Sequence, residues 1–176
     1  MNLIVLSLLW ATSAHALQVE RERKGPYVVV SAELPHSIEA VNSILREDVK
    51  TMKLGQAVRN VTATPLPNGC TQLLVVNEGF AKDLSYIAER CPTENGWHSK
   101  MVSSDDFDDH EIIWNTDPLG PHSKVTIQVK VSLKYPVPQF LVQRIVGGAL
   151  AETLEKIDAV LQAEKQTTRG DENGQE

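Results

Sequence analysis

The chain has 176 residues, 41% of them hydrophobic and 23% charged, and a formal net charge of −6 at neutral pH. This composition is typical of a globular protein, and the length suits one domain. The acidic balance argues against nucleic acid or anionic lipid headgroups as the main partner, because both repel a negative protein. A neutral or apolar ligand fits better.

Residues 1–16 have the features of a cleavable signal peptide. Their apolar stretch spans residues 3–11, too short to cross a bilayer, which needs about 20 residues. The small-x-small sequence Ala14-His15-Ala16 follows, as signal peptidase requires, although no Lys or Arg precedes the apolar stretch. We therefore expect cleavage after Ala16, a periplasmic or secreted protein, and no stable membrane insertion of the mature chain. An uncleaved anchor or a buried first strand is the alternative.

The first elements of the mature chain are predicted to be a strand pair followed by two short helices. β-Branched and aromatic residues indicate the strands. Ser37 can cap the first helix, because apolar residues recur at helical spacing directly after it. The predicted order is strands at 18–23 and 26–34, then helices at 38–46 and 48–56.

From residue 57 the pattern predicts an antiparallel meander with short connections. The last strand is the clearest, because apolar residues from Val125 to Leu133 alternate with polar ones, which indicates one dry face and one wet face. The predicted strands are 58–64, 70–77, 84–91, 97–103, 110–116 and 125–133.

The cysteines Cys70 and Cys91 are the two in the chain. After export, an even pair indicates a disulfide. A symmetric hairpin about residues 78–83 sets them opposite each other, at a Cα separation of about 4.5–5.5 Å that a disulfide can bridge. Two buried free thiols are the alternative.

A long amphipathic helix is predicted over residues 139–163. Its interior contains Gly147-Gly148, and each glycine costs on the order of 1 kcal/mol relative to alanine. Close approach to the sheet or to a ligand would offset this cost, and a local kink is the other explanation. Residues 164–176 are polar and lack periodicity, so we expect a disordered tail.

This order of elements resembles the α+β helix-grip fold of the START-like (SRPBCC) superfamily, in which a curved antiparallel sheet wraps around a long C-terminal helix. The resemblance rests on the segments SAELPHSIEAV (31–41), DFDDHEIIW (106–114) and YPVPQFLV (135–142), and it covers most of residues 26–162. It implies a START-like domain over residues 17–163. Members of this superfamily include lipid-transfer domains, coenzyme Q-binding proteins and polyketide cyclase and dehydrase relatives.

The resemblance also implies a hydrophobic cavity between the sheet and the last helix, which binds or transports a lipid, sterol or quinone. The same side chains could instead simply fill a packed core. If the predicted register holds, the residues that face the cavity are Leu73, Val75, Tyr86, Ile112, Trp114, Ile127 and Val129 from the sheet and Phe140, Ile145 and Gly148 from the helix.

An enzyme acting on an aromatic or polyketide-like substrate is a second hypothesis, with Tyr86, Arg90 or a cavity histidine as acid or base. A hairpin that pairs Ser103 with His110 would keep His98 away from His110, which argues against a histidine pair. The sequence contains no triad motif, and the acidic run 105–109 lacks the spacing of a calcium loop, which favours a solvated turn. No metal or cofactor is predicted. A third hypothesis is a protein-interaction module with a closed core.

Overall fold

The computed structural model of the chain describes residues 17–55, 57–79 and 82–172, so the predicted signal peptide lies outside the described residues. The strands are β1 (Val19–Lys24), β2 (Tyr27–Leu34), β3 (Val58–Pro65), β4 (Thr71–Asn77), β5 (Leu84–Thr93), β6 (Gly96–Ser103), β7 (Phe107–Leu119) and β8 (His122–Leu133). The helices are α1 (Ile38–Leu45), α2 (Asp48–Lys53) and α3 (Gln139–Glu172).

The strands form one antiparallel sheet in the order β1-β2-β8-β7-β6-β5-β4-β3. Neighbours from β3 to β8 follow the chain, and the N-terminal hairpin then pairs its second strand with β8. The sheet stays open, with β1 and β3 at its edges. This arrangement confirms the predicted helix-grip fold.

Alternate residues of a strand point to the same side of the sheet, and the residues that point inward are mostly apolar. In β8 the inward residues Val125, Ile127, Val129 and Val131 are buried, and the residues between them are partly exposed. Burying a Val or Ile side chain contributes roughly 1.5–3 kcal/mol, so this face is the main source of stability.

The short helices begin and end close to where the sequence predicts. Ser37 is the N-cap of α1, and its side chain accepts a hydrogen bond from the backbone N of Ala40 at 3.4 Å. Val41, Ile44 and Leu45 bury the inner side of that helix.

The β7–β8 hairpin and the end of α3 differ most from the predicted boundaries. The hairpin of β7 and β8 is longer than predicted, because a two-residue turn at Gly120, with φ of +63°, and Pro121 lets pairing continue to Leu119 and His122. Helix α3 ends at Glu172 instead of near residue 163, so residues 164–172 of the predicted tail are helical. Residues 162–166 are good helix formers and explain the first part of this extension.

The glycine pair in α3 has two different environments. A Cβ on Gly147 would lie 3.5 Å from Cγ1 of Val28, in ordinary van der Waals contact, so the helix passes close to β2 there. A Cβ on Gly148 would meet no atom of the described residues within 4 Å. A Cβ would therefore fit at both positions, and close approach to the sheet does not require glycine at either.

The disulfide between Cys70 and Cys91 is present, with a Cα separation of 4.3 Å. Because β4 and β5 pair Thr71 with Arg90, the next residues outward are the two cysteines. The predicted hairpin register is thus confirmed, and the alternative of free thiols is wrong. Among the described helices, none is both long and apolar enough to span a membrane.

We expect the double variant Cys70→Ser/Cys91→Ser to unfold about 3 kcal/mol more easily than the wild type, because the disulfide restricts the unfolded chain. Urea denaturation under oxidising conditions measures the difference. Wild-type protein treated with reductant should approach the variant, and an unchanged midpoint after complete reduction would contradict this expectation.

Candidate functional site

A cavity of about 640 Å³ lies between the inner face of the sheet and α3. Its walls are predominantly apolar. The sheet contributes Leu84, Tyr86, Phe107, His110, Ile112, Trp114, Val129, Val131 and Leu133. Helix α3 contributes Val142, Ile145, Val146, Ala149, Leu150 and Thr153. The segment from α2 to β3 contributes Thr51, Met52, Gly55, Ala57 and Val58.

The cavity follows from a division of α3 into two parts. The residues that α3 contributes to the cavity lining all lie between Val142 and Thr153. Beyond them, Leu154, Ile157 and Leu161 are at most 3% exposed and belong to the core. The second part of the helix therefore packs on the sheet, while the first part covers an open space.

The opening of the cavity is marked by those lining residues that are exposed. They are Ala57, Glu78, Lys82, Tyr135, Val137 and Ile145. They come from the segment before β3, from the β4–β5 connection and from the segment that leads into α3. The cavity thus reaches solvent beside the beginning of α3.

Half of the residues predicted to face the cavity do so. Tyr86, Ile112, Trp114, Val129 and Ile145 line it. Leu73, Val75 and Ile127 face inward as predicted but are completely buried in the core and do not line the cavity. Phe140 is 68% exposed, and neither it nor Gly148 lines the cavity.

His110 and Tyr86 are two buried titratable rings in the cavity wall. His110 is 9% exposed, and its ring stacks on that of Tyr86 with centroids 4.2 Å apart. The ring of Phe107 lies edge-on to the His110 ring, with the two centroids 5.5 Å apart. Burial lowers the pKa of His110 to about 4, so the imidazole is neutral at neutral pH. Burial also raises the pKa of Tyr86.

Among the described lining residues, the charged ones are Glu78 and Lys82, and both lie at the opening. The side chain of Asp106 is buried beside it and pairs with Lys82 at 2.7 Å, and it accepts hydrogen bonds from the Ser85 backbone N at 2.8 Å and the Tyr135 hydroxyl at 3.0 Å. These contacts, that with Lys82 foremost, hold the pKa of Asp106 at about 2. The acidic run was predicted to be a solvated turn, and this is wrong for Asp106, because partners distant in sequence surround it.

Solved structures of similar shape cover most of the chain at low sequence identity. A START superfamily protein from Mycobacterium smegmatis is 20% identical, with a TM-score of 0.68 over 78% of this chain and 97% of its own. A STAR-related lipid transfer protein from Xanthomonas axonopodis is 16% identical, with a TM-score of 0.62 over 86% of this chain and 97% of its own. An aromatase/cyclase from a Streptomyces species is 7% identical, with a TM-score of 0.62 over 86% and 96%. No family model matches the sequence, and neither does any curated protein.

This chain has the START-like fold. At these identities the likeness establishes the architecture, and the function depends on the site that this chain builds on it.

Arg90 lies outside the lining of the START-like cavity. Its guanidinium pairs with Asp48, donates from Nη2 to the Leu45 carbonyl at 2.6 Å, and stacks over Trp97 with Cζ 5.1 Å from the ring centroid. Burial lowers the pKa of Arg90 to about 10, which leaves it charged at neutral pH. This side chain therefore ties the short helices to the sheet, and the structure gives it no contact with the cavity.

His98 and His110 lie on opposite faces of the sheet. The β6–β7 register pairs His98 with Ile113, whereas the side chain of His110 points inward with Ile112. The predicted pairing of Ser103 with His110 is wrong by two residues, since Lys100 pairs with Glu111. The expectation that the histidines do not act together is nevertheless confirmed. On the outer face, His98 Nε2 lies 2.7 Å from Oε1 of Glu111.

Lining residues that were not predicted from the sequence include Thr51 and Met52 of α2, Phe107 of β7, and Val142, Val146 and Ala149 of α3. The three from α3 recur at spacings of three and four, which is the signal of one helix face. That spacing alone could have identified them as a group, although not the direction in which the face points.

We expect the stability conferred by neutral His110 to fall as the pH falls. The pKa is about 6.5 in the unfolded chain and about 4 in the folded protein, so between these values the unfolded chain binds the additional proton. Each pH unit in this window should cost about 1.4 kcal/mol. Urea denaturation across the window, compared with the variant His110→Phe, isolates this contribution. Parallel stability curves for the two proteins would contradict it.

Proposed function

We propose that this protein is exported and binds an apolar small molecule, such as a lipid, sterol or quinone, in the cavity between the sheet and α3. The observation that carries the proposal is the cavity itself, about 640 Å³ with predominantly apolar walls. Ligand pockets of about 300–1,000 Å³ are typical of small-molecule sites. Apolar ligands gain roughly 25 cal/mol for each Å² removed from water, which is sufficient to drive binding without charged contacts.

The neighbours of similar shape support carriage and catalysis alike. The Xanthomonas axonopodis neighbour is a lipid transfer protein, and the Streptomyces neighbour is an aromatase/cyclase. Carriage of a ligand from one site to another is the finer part of the proposal, and the exposed opening beside α3 supports it because a ligand can pass there without the sheet separating.

The enzyme hypothesis has less support from the cavity wall. General acid–base catalysis works best when the group titrates near the operating pH. Burial lowers the pKa of His110 to about 4 and raises that of Tyr86, so neither group changes its charge near neutral pH. Arg90 forms structural contacts outside the lining. Binding without reaction therefore fits the wall better than catalysis does.

A protein-interaction module with a closed core has the cavity against it. A packed core leaves few spaces larger than a water molecule, and a volume of about 640 Å³ is far beyond that.

To test binding, we propose filling the cavity from α3. Ala149→Trp places an indole in the cavity, whereas Ala159→Trp places the same group on the exposed side of the same helix. The dye Nile red should fluoresce with wild-type protein and with Ala159→Trp, and its affinity should fall by at least about tenfold in Ala149→Trp, since the buried apolar area is lost. Native mass spectrometry should find a copurified apolar molecule in the same two proteins. Absence of both signals from wild-type protein would overturn the proposal.

Export is supported by the Cys70–Cys91 disulfide, because such bonds persist in oxidising compartments. We expect the protein isolated from its own host to begin at Leu17, with the disulfide closed. Intact-mass measurement with and without reductant checks both points. A mature protein that retains Met1 and carries two free thiols would contradict export.

A further inference from the structure

We infer that the ligand is an uncharged apolar molecule with a hydroxyl or carbonyl group, and that this group forms a hydrogen bond with His110. This inference rests on the proposed binding function and names the chemical class of the ligand.

His110 has a ring nitrogen without a hydrogen-bond partner in the described part of the chain. His110 lines the cavity, is 9% exposed, and its ring nitrogen Nδ1 has no hydrogen-bond partner among the described residues. Buried polar atoms in proteins nearly always have a partner, because burial without one forfeits the bond to water. Because the ring borders the cavity, a ligand can meet the imidazole there and form a hydrogen bond with the nitrogen that it reaches.

Two neighbouring aromatic rings restrict the orientation of the His110 imidazole. Tyr86 stacks on His110 at 4.2 Å with the planes inclined by 30°, and Phe107 lies edge-on to both rings at 5.5 Å. An aromatic cluster of this kind restricts rotation of the imidazole. A fixed hydrogen-bonding group costs a ligand less entropy to engage than a mobile one.

The described lining of the cavity offers an anion little positive charge. Lys82 is the cation in the described lining, and it lies at the opening, 57% exposed and paired with Asp106. Nothing deeper in the described lining can neutralise a carboxylate or a phosphate, and burial of an unpaired anion is strongly unfavourable. The buried imidazole is neutral, since its pKa is about 4, and it can donate or accept according to its tautomer. These properties suit a hydroxyl or a carbonyl.

The other polar side chains of the interior fit this assignment. The hydroxyls of Thr51 and Thr153 donate to the carbonyls of Ile44 and Ala149, each at 2.8 Å. Trp114 Nε1 is also buried without a partner in the described structure, and the Cα atoms of Trp114 and His110 are about 13 Å apart along β7 at the usual rise of a strand. Trp114 is therefore the second candidate for the same hydrogen bond, and the test below distinguishes the two rings.

The test compares four ligands with the same carbon chain: decane, 1-decanol, 2-decanone and decanoate. Each is titrated as a competitor of Nile red bound to the mature protein at neutral pH. In His110→Phe, the affinity for 1-decanol and 2-decanone should fall by on the order of tenfold, whereas that for decane should stay the same or rise. The matched control Val129→Ala removes apolar lining and should weaken all the ligands to a similar extent.

The outcomes separate this inference from the proposed function. If no ligand displaces the dye from wild-type protein, the binding function itself fails. If the ligands bind but His110→Phe weakens decane as much as 1-decanol, binding stands and the hydrogen bond to His110 is wrong. A selective loss for 1-decanol in Trp114→Phe, with none in His110→Phe, would also overturn the assignment. Decanoate that binds as tightly as 1-decanol would overturn the claim of an uncharged ligand.

A measurement on the wild-type protein avoids dependence on how the variants fold. The ¹⁵N chemical shifts of the His110 ring report hydrogen bonding at each nitrogen. Saturation with 1-decanol should move one of these shifts beyond the change that decane produces. Equal spectra with the two ligands would contradict the hydrogen bond.

Discussion

The position of α3, and with it the cavity, depends on a buried hydrogen bond between His36 Nε2 and Asp158 Oδ1, 2.7 Å long. The two side chains are 1% and 11% exposed, and they join the turn after β2 to the second part of the helix. Gln162 donates to the other carboxylate oxygen at 2.7 Å and completes the site. Apolar burial beside it, at Leu154 and Ile157, is not directional, so the polar pair sets the register of the helix on the sheet. The first part of α3 has no equivalent buried polar attachment among the described residues, and it is this part that covers the cavity.

A second buried polar contact fixes the opposite wall. Arg90 projects from β5 and binds Asp48 and the Leu45 carbonyl, which holds α1 and α2 against the sheet. Buried ion pairs of this kind often add little net stability, because both charges are removed from water. Their geometry is nevertheless specific, and here it keeps Thr51 and Met52 at the cavity wall. The His36–Asp158 contact and the Arg90–Asp48 contact thus lie on either side of the cavity, and neither pair contributes to its described lining.

Local patterns predicted much of the fold, and long-range contacts decided the rest. The alternation of the strands and a symmetric hairpin were sufficient to place Cys70 opposite Cys91, because register follows from the turn. Alternation also gave the inward direction of Leu73 and Ile127, but it could not distinguish a residue in the packed core from one in a cavity wall. That distinction depends on where α3 is anchored, through a partner 122 positions away in the sequence. The rotation of the helix was equally inaccessible, and so Phe140 was predicted to face inward although it faces solvent.

One physical cause, burial of the inner face of the sheet, sets both the polarity of the cavity wall and the protonation state of the groups in it. Desolvation disfavours the charged imidazolium and lowers the pKa of His110, which removes the group from acid–base chemistry near neutral pH. His110 Nδ1 also has no hydrogen-bond partner among the described residues, and a hydrogen bond to a buried ring is worth more than one at the surface. Charges remain at the opening, where Asp106 binds Lys82 and Tyr135 and neutralises the cation nearest to the cavity. A lipid transfer protein and an aromatase/cyclase share this fold. On it, we propose that the wall of this cavity selects ligands by polarity and shape, with the buried ring of His110 as the recognition group.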